Sequence, residues 1–326
     1  MHLRDKRLWA AGIISLLAAA AALSGQQKQA LDEPGTIFRS DTRVVVCNTT
    51  VVDKNGHLVT DLPREAFTVT ENGVQQRISL FKREDVPVSM GLIIDNSGSM
   101  RTKRAGVEAA SLALVKDSNK DDEVFVVNFN DEPFLDLPNR KDFTSDIAEM
   151  EQALTRIDSR GGTAMRDAIR LSIDHLIEKA HRDKKVLVLV TDGVDNASII
   201  TQEALVRAAQ QSGVLIYAVG LLTDEDRQDA GKAKHELNQL AEATGGETFY
   251  PKEVSEVDRI AHLVAHDIRN QYTIQYSPSN AAMDGTFRQI KITVNAPGHL
   301  TVRTRSGYYA TPDQAVATAK ATSFRE

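Results

Sequence analysis

LIIDNSGSM, residues 92–100, decides how the rest of this sequence is read. It closes an unbroken apolar run, VSMGLIID at 88–95, and then sets Asp95, Ser97 and Ser99 at alternate positions. A strand that is apolar at every position, rather than every second one, suits a parallel sheet covered on both faces. The sudden change to Asp-Asn-Ser-Gly-Ser marks where that strand leaves the core. Gly98 lets the chain turn tightly there and brings backbone close to whatever binds. Three oxygen-bearing side chains at one strand end fit a catalytic turn, a phosphate cradle, a helix cap or a cation site.

The flanking sequence repeats the same rhythm. Downstream come a helical pattern over 103–115, the strand EVFVVNFN, a short FLDLP that Pro138 ends, and a helix over 147–157. AMRDAIRLSIDHLIEKAH follows, with Met165, Ile169, Ile173, Leu176 and Ala180 on one helical stripe. Strand KVLVLVTD, helix QEALVRAAQQ, strand VLIYAVG and helix KAKHELNQLAEAT continue the series, and Gly245-Gly246 stops the last helix. ETFYP and a helix over 257–270 close it. Strands alternating with helices predict an α/β fold, a doubly wound, mostly parallel sheet of Rossmann-like type with right-handed crossovers.

Both flanks read differently. VVVCNTTVVD, HLVTDLP, AFTVTENG and VQQRISLFKRE are β-rich, with turn signals at Asn55-Gly56, Leu62-Pro63 and Asn72-Gly73. YTIQYSP, FRQIKITVN and LTVRTRSGYYA form a second β-rich group near the end. Each group alone has open edges and little apolar area, so the two are expected to pair into one additional β sandwich. The expected organisation is a signal peptide or N-terminal anchor over 1–24, a flexible leader over 25–39 and an N-terminal β unit over 40–85. The α/β unit follows over 86–268, then C-terminal strands over 269–312 and a disordered tail over 313–326.

Composition narrows the function classes. Hydrophobic residues make up 41% and charged residues 26%, as in a soluble globular protein. The formal charge is -6 and no long basic run follows the first ten residues, which argues against a nucleic-acid partner. Arg4, Lys6 and Arg7 precede the apolar stretch Leu8 to Leu23, and small residues Ala22 and Ser24 suit cleavage before Gly25. Cleaved or retained, this segment places the rest outside the cytoplasmic membrane: periplasmic, secreted or envelope-associated. Membrane contact would then come only through an uncleaved anchor. The single Cys47 cannot form an internal disulfide and reads as an inert core thiol.

In open α/β sheets, ligands bind beyond the carboxyl ends of strands where strand order reverses. GLIID-NSGS and VLVLV-TDG both end in an aspartate with hydroxyls, and SRGGTAM places Thr163 before a long helix. Asp95, Ser97, Ser99, Thr163 and Asp192 would together make a hard-oxygen set suited to Mg²⁺, Mn²⁺ or Ca²⁺ rather than Zn²⁺. Helix capping is the bland reading of each residue taken singly. Asp195 reads as a turn former, and Asp121-Asp122 as a solvated turn. An esterase would need a G-x-S-x-G elbow and a histidine partner, and a Walker loop would need Gly-Lys-Ser/Thr; neither occurs. A phosphoaspartyl transferase would want an acid where Ser97 stands. The eight histidines read as surface or capping residues, with His262 and His266, one helical turn apart, the weaker metal-ligand alternative.

Asp95-x-Ser97-x-Ser99, Thr163 and Asp192, in that order at three successive loops, resemble the metal-ion-dependent adhesion site of von Willebrand factor A domains. The likeness covers roughly residues 40–310 and is greatest to VWFA-related domains described in acidobacteria. It implies binding rather than turnover. It also implies that Ser97 and Ser99 meet the metal directly, Thr163 in the high-affinity state, and the aspartates often through water. The resemblance therefore implies an exported, non-enzymatic protein that binds a divalent cation, Mg²⁺ foremost, and a protein ligand supplying an acidic residue. The alternatives are an envelope scaffold whose metal site is dispensable, an assembly role inside the cell, or, more remotely, a hydrolase or phosphotransferase. No feature of the sequence specifies an oligomeric state.

Overall fold

The computed structural model describes residues 44–83, 85–117, 119–155, 159–222 and 227–311. The expected targeting segment, leader and C-terminal tail lie outside the described residues.

Four N-terminal strands come first: β1 (Val45–Val52), β2 (Phe67–Glu71), β3 (Val74–Gln76) and β4 (Ile78–Lys82). Asn72 and Gly73, at φ 48° and 81°, make the tight β2–β3 turn that their sequence signals. HLVTDLP, expected as a strand, forms only an isolated bridge between Val52 and Leu58. Its backbone is tied instead to the Tyr272 hydroxyl, which accepts from Leu62 N–H at 3.0 Å and donates to Val59 C=O at 2.9 Å.

The α/β unit follows. It holds β5 (Val88–Asp95), α1 (Arg104–Lys116), β6 (Glu123–Phe129), β7 (Pro133–Leu135), α2 (Ile147–Thr155) and α3 (Met165–Lys179). It continues through β8 (Lys184–Thr191), α4 (Gln202–Ser212), β9 (Leu215–Gly220), α5 (Arg227–Thr244), β10 (Thr248–Phe249) and α6 (Val257–Arg269). The sheet order is β10-β9-β8-β5-β6-β7, parallel except for the short edge strand β7. β5 is buried at every position, as its unbroken apolar run requires. Leu92, Ile94 and Val190 meet Leu114, Ile260 and Val264 of α1 and α6 on one face. Helices α3, α4 and α5 pack side by side, and Met165, Ile169, Ile173 and Leu176 of α3 are each at most 1% exposed.

The chain then returns to strands β11 (Tyr272–Tyr276), β12 (Phe287–Val294), β13 (Thr301–Arg303) and β14 (Gly307–Tyr309). These interleave with the N-terminal strands in two antiparallel sheets, β13-β1-β11-β4 and β14-β12-β2-β3. Each sheet takes two strands from each flank, so neither flank could close the core alone. Val45, Cys47, Val69, Ile290, Ile292 and Tyr308 are among the residues that fill it. Burial pushes the Cys47 thiol up to about 11, which keeps it unreactive.

Two expectations are corrected here. Asp122 is not solvated: its carboxylate is buried and accepts from Val88 N–H at 2.7 Å and Asn119 N–H at 2.9 Å, which fixes the start of β5. His175 is likewise buried, 4.6 Å from the Phe125 ring centre, with Nε2 2.9 Å from the Asp142 carbonyl oxygen.

Candidate functional site

The strand order runs from β5 to β6 in one direction and to β8 in the other, so the reversal falls beside β5. The carboxyl ends of β5 and β8 lie together there, and each delivers one aspartate. Asp95, the last residue of β5, is 1% exposed. Its Oδ1 accepts from Ser97 N–H at 2.8 Å and its Oδ2 from the Thr191 hydroxyl at 2.6 Å. Burial is the main cause that raises its pKa to about 6, and the Asp192 charge adds to it; the bonds from Thr191 and Ser97 act the other way.

From Ser97, whose N–H is held by Asp95, a line of oxygens runs outward. Ser97 Oγ lies 3.1 Å from Ser99 Oγ, and Ser99 Oγ donates to Asp192 Oδ1 at 2.7 Å. Ser97 is buried, Ser99 exposed, and the Asp192 side chain is 0% exposed. The loops are stitched by backbone bonds, Asn96 N–H to Phe129 C=O at 2.7 Å, Arg160 N–H to Asn96 C=O at 2.9 Å and Gly98 N–H to Gly161 C=O at 3.3 Å.

Thr163 is brought to the same place by different means. It is 4% exposed, its N–H donates to Asn196 Oδ1 at 2.9 Å, and its C=O accepts from Asn196 N–H at 3.1 Å. Its hydroxyl lies 3.8 Å from where a Cβ on Gly193 would sit, so it borders the loop of Asp192. Four of the five expected residues are thus linked to one another by hydrogen bonds, and Thr163 is bonded to Asn196 instead. Gly161 and Gly162 are required beside it, since a Cβ on either would stand 2.3 or 3.0 Å from the Asp131 carboxylate.

Asp195 serves the loop. It accepts from Arg166 N–H at 2.7 Å, Arg166 Nη2 at 3.0 Å and the Ser198 hydroxyl at 2.6 Å. Asp167 returns the tie by accepting from Ile199 and Ile200 N–H at 2.9 and 3.0 Å. On this pinned loop Ile199 is 94% exposed. His262 faces Asp117 and Asp258 carboxylates rather than His266, and the Asp117 bond holds its pKa above the usual histidine value.

Sequence reading missed several residues. Lys103 donates to Asp192 Oδ2 at 2.6 Å. Asn96 donates to Asn128 Oδ1 at 2.8 Å, and Asn128 to Asp136 Oδ2 at 2.8 Å, a buried polar chain behind the site. No local spacing signals Lys103, whose partner Asp192 lies 89 positions along the chain; the asparagines lie on separate strand ends and give no signal either.

The arrangement suits a hard cation by its chemistry. All five candidate residues offer oxygen, although the Lys103 ammonium on Asp192 opposes a second positive charge there. Among the described residues no group of three or more His, Cys, Asp or Glu could hold a metal ion, so a cation here would depend on the hydroxyls. The serine hydroxyls bond each other and Asp192, not a histidine that could activate them.

Residues 90–265 match the sequence model of the von Willebrand factor type A domain. Among curated relatives, an uncharacterized protein of Synechocystis sp. is 26% identical over 125 residues, 36% of this chain and 29% of its own. Calcium-activated chloride channel regulator 1 of Equus caballus is 28% identical over 170 residues, 51% of this chain and 17% of its own. The chain therefore spans less than a third of the curated relatives it matches. Among solved structures, a von Willebrand factor type A protein from Catenulispora acidiphila is 16% identical with a TM-score of 0.47, covering 86% of this chain and 77% of that one. The vWF domain of a type V pili tip protein from Porphyromonas gingivalis is 16% identical with a TM-score of 0.45, covering 56% and 97%.

Proposed function

The chain belongs to the von Willebrand factor type A domain family, whose domains commonly mediate protein–protein binding, and we propose that this one captures a protein partner through a divalent cation. Mg²⁺ is the first choice, with Mn²⁺ or Ca²⁺ as alternatives. Ser97, Ser99 and Thr163 would hold it through hydroxyl oxygens, with Asp95 and Asp192 as the carboxylates. The ion would supply a Lewis-acidic position for a carboxylate oxygen from the partner.

The observation that carries this reading is the hydrogen-bonded series at the strand reversal, in which Asp95 accepts from Ser97 N–H, the Ser97 hydroxyl meets that of Ser99, and Ser99 donates to Asp192. Thr191 and the Ser97 N–H fix Asp95 in place, so its carboxylate cannot swing out to solvent. Ser99 stands at the exposed lip, where an outside group arrives. Neutral hydroxyls leave more of the cation's charge for that group than further carboxylates would. Ile199, exposed on the loop that Asp167 pins after Asp192, would offer an apolar contact to the same partner. The serines lack an activating base, which favours binding over turnover. The signal-like start of the sequence supports an exported location, periplasmic, secreted or envelope-associated.

Calorimetric titration of the full chain with Mg²⁺ tests the reading. Saturable binding is expected in the wild type and its loss in Asp95→Ala, with Thr163→Ala weakened at least about tenfold and the far-UV spectrum of both preserved. Equal Mg²⁺ binding in Asp95→Ala would sink it. In envelope extracts, a crosslinked partner should be lost on adding chelator; capture that survives chelation would favour a scaffold role with a dispensable site.

A further inference from the structure

Lys103 joins the 3₁₀ turn Gly98–Thr102 to α1, four residues after Ser99. Its ammonium donates to Asp192 Oδ2 at 2.6 Å and to the Leu221 carbonyl oxygen at 3.2 Å, with the side chain 19% exposed. Leu221 N–H in turn donates to Thr191 C=O at 2.8 Å, so the lysine is anchored to backbone tied to β8. Asp192 divides its two oxygens: Oδ1 faces the Ser99 hydroxyl and Oδ2 faces the ammonium. A cation resting on the serines would meet the Oδ1 side, and Lys103 could keep its place behind the carboxylate.

The charge balance then has a consequence. Two carboxylates with one ammonium carry a single net negative charge, and a divalent cation turns that into a single net positive one. Without the ammonium the empty pair would attract the cation more, and the loaded site would be neutral. We propose that Lys103 is a specificity-determining residue that weakens cation capture and strengthens capture of the partner's carboxylate. This rests on the cation reading above and extends it to the class of partner group selected, an anionic carboxylate over a neutral amide or hydroxyl. The ammonium, largely withdrawn from water, acts at a lower effective dielectric than a surface lysine, so its influence across a few ångströms is at least about tenfold in affinity.

Full-length wild type, Lys103→Met and Lys103→Arg are titrated with Mn²⁺ alone, following free Mn²⁺ by electron paramagnetic resonance. Acetate and then acetamide are added to each Mn²⁺-loaded protein, following water-proton relaxation. Lys103→Met should bind Mn²⁺ about tenfold more tightly and acetate about tenfold more weakly, and its preference for acetate over acetamide should shrink. Lys103→Arg, which keeps the charge, should stay within about twofold of wild type in both. A lysine that merely orients Asp192 would, on removal, weaken both ligands together. Changes of the same sign, or no change in either, would overturn the proposal. Lys103→Gln is a second neutral variant and must give the same two directions if Lys103→Met does not fold. Absence of Mn²⁺ binding in the wild type would instead remove the cation reading itself, a separate outcome.

Discussion

Asp95 carries the sharpest pH signature of any single residue in the site. Burial lifts its carboxyl to about 6, against an ordinary value near 3.9. A carboxyl raised in the fold contributes stability that is fully present below the unfolded pKa and is lost as pH rises through the folded one. The window is therefore about pH 4 to 6, and the loss is about 3 kcal/mol for a group this buried. In chelator, the unfolding free energy of wild type relative to Asp95→Asn should fall by that order between pH 4 and pH 7.5. A flat difference across the range would contradict it. The five candidate residues stand out in the sequence because residue type and spacing mark them. Lys103 and Thr191 do not: they reach their partners across 89 and 96 positions, and only the folded sheet brings those ends together.

At the scale of elements, α5 and the turn after it give opposite answers to one substitution. Gly245-Gly246 reads as a helix stop, and Gly245 does adopt φ 89° after α5. Close packing adds a second reason. A Cβ on Gly246 would stand 2.0 Å from the Ile216 carbonyl oxygen, and one on Gly245 2.6 Å from backbone of Thr304 and Arg305. Gly231, within α5, meets nothing within 4 Å. Gly246→Ala should therefore destabilise by about 3 kcal/mol or more, and Gly231→Ala should stabilise by about 0.5–1 kcal/mol. Urea unfolding monitored by circular dichroism measures both, and like signs would refute the packing argument. Elements with strong periodicity, such as β5 and α3, were readable from local pattern. HLVTDLP was not, because its hydrogen bonds go to a tyrosine hydroxyl more than 200 residues away.

Across the molecule, the α/β unit and the sandwich are joined by buried polar groups. Asp267, in the last turn of α6, accepts from Thr50 at 2.8 Å, Tyr217 at 2.8 Å and Arg303 at 2.9 Å. Arg303 also pairs with Glu247. Asp267→Ala would leave the arginine short of a charge partner and strip a bond from the other two, a cost of about 3–5 kcal/mol. A lowered urea midpoint with an unchanged native spectrum is expected; a loss under about 1 kcal/mol would show that the joint adds little. An acid at a helix C-terminus runs against the helix dipole, and that misfit was the one sequence sign of this joint. The fold class needed no such sign, since alternating strands and helices announce it locally. The strand register has a mechanical consequence. β1 and β11 run antiparallel from Val45↔Tyr276 to Thr49↔Tyr272. A tug on the α/β unit enters the sandwich at Tyr272 of β11 and at Lys82 of β4, while a pull applied ahead of Val45 would load β1 from the opposite end. The rungs between β1 and β11 lie across the line of force and share the load in shear instead of unzipping one by one. Under the proposed partner capture, a drag on the site would therefore load this strand pair in shear.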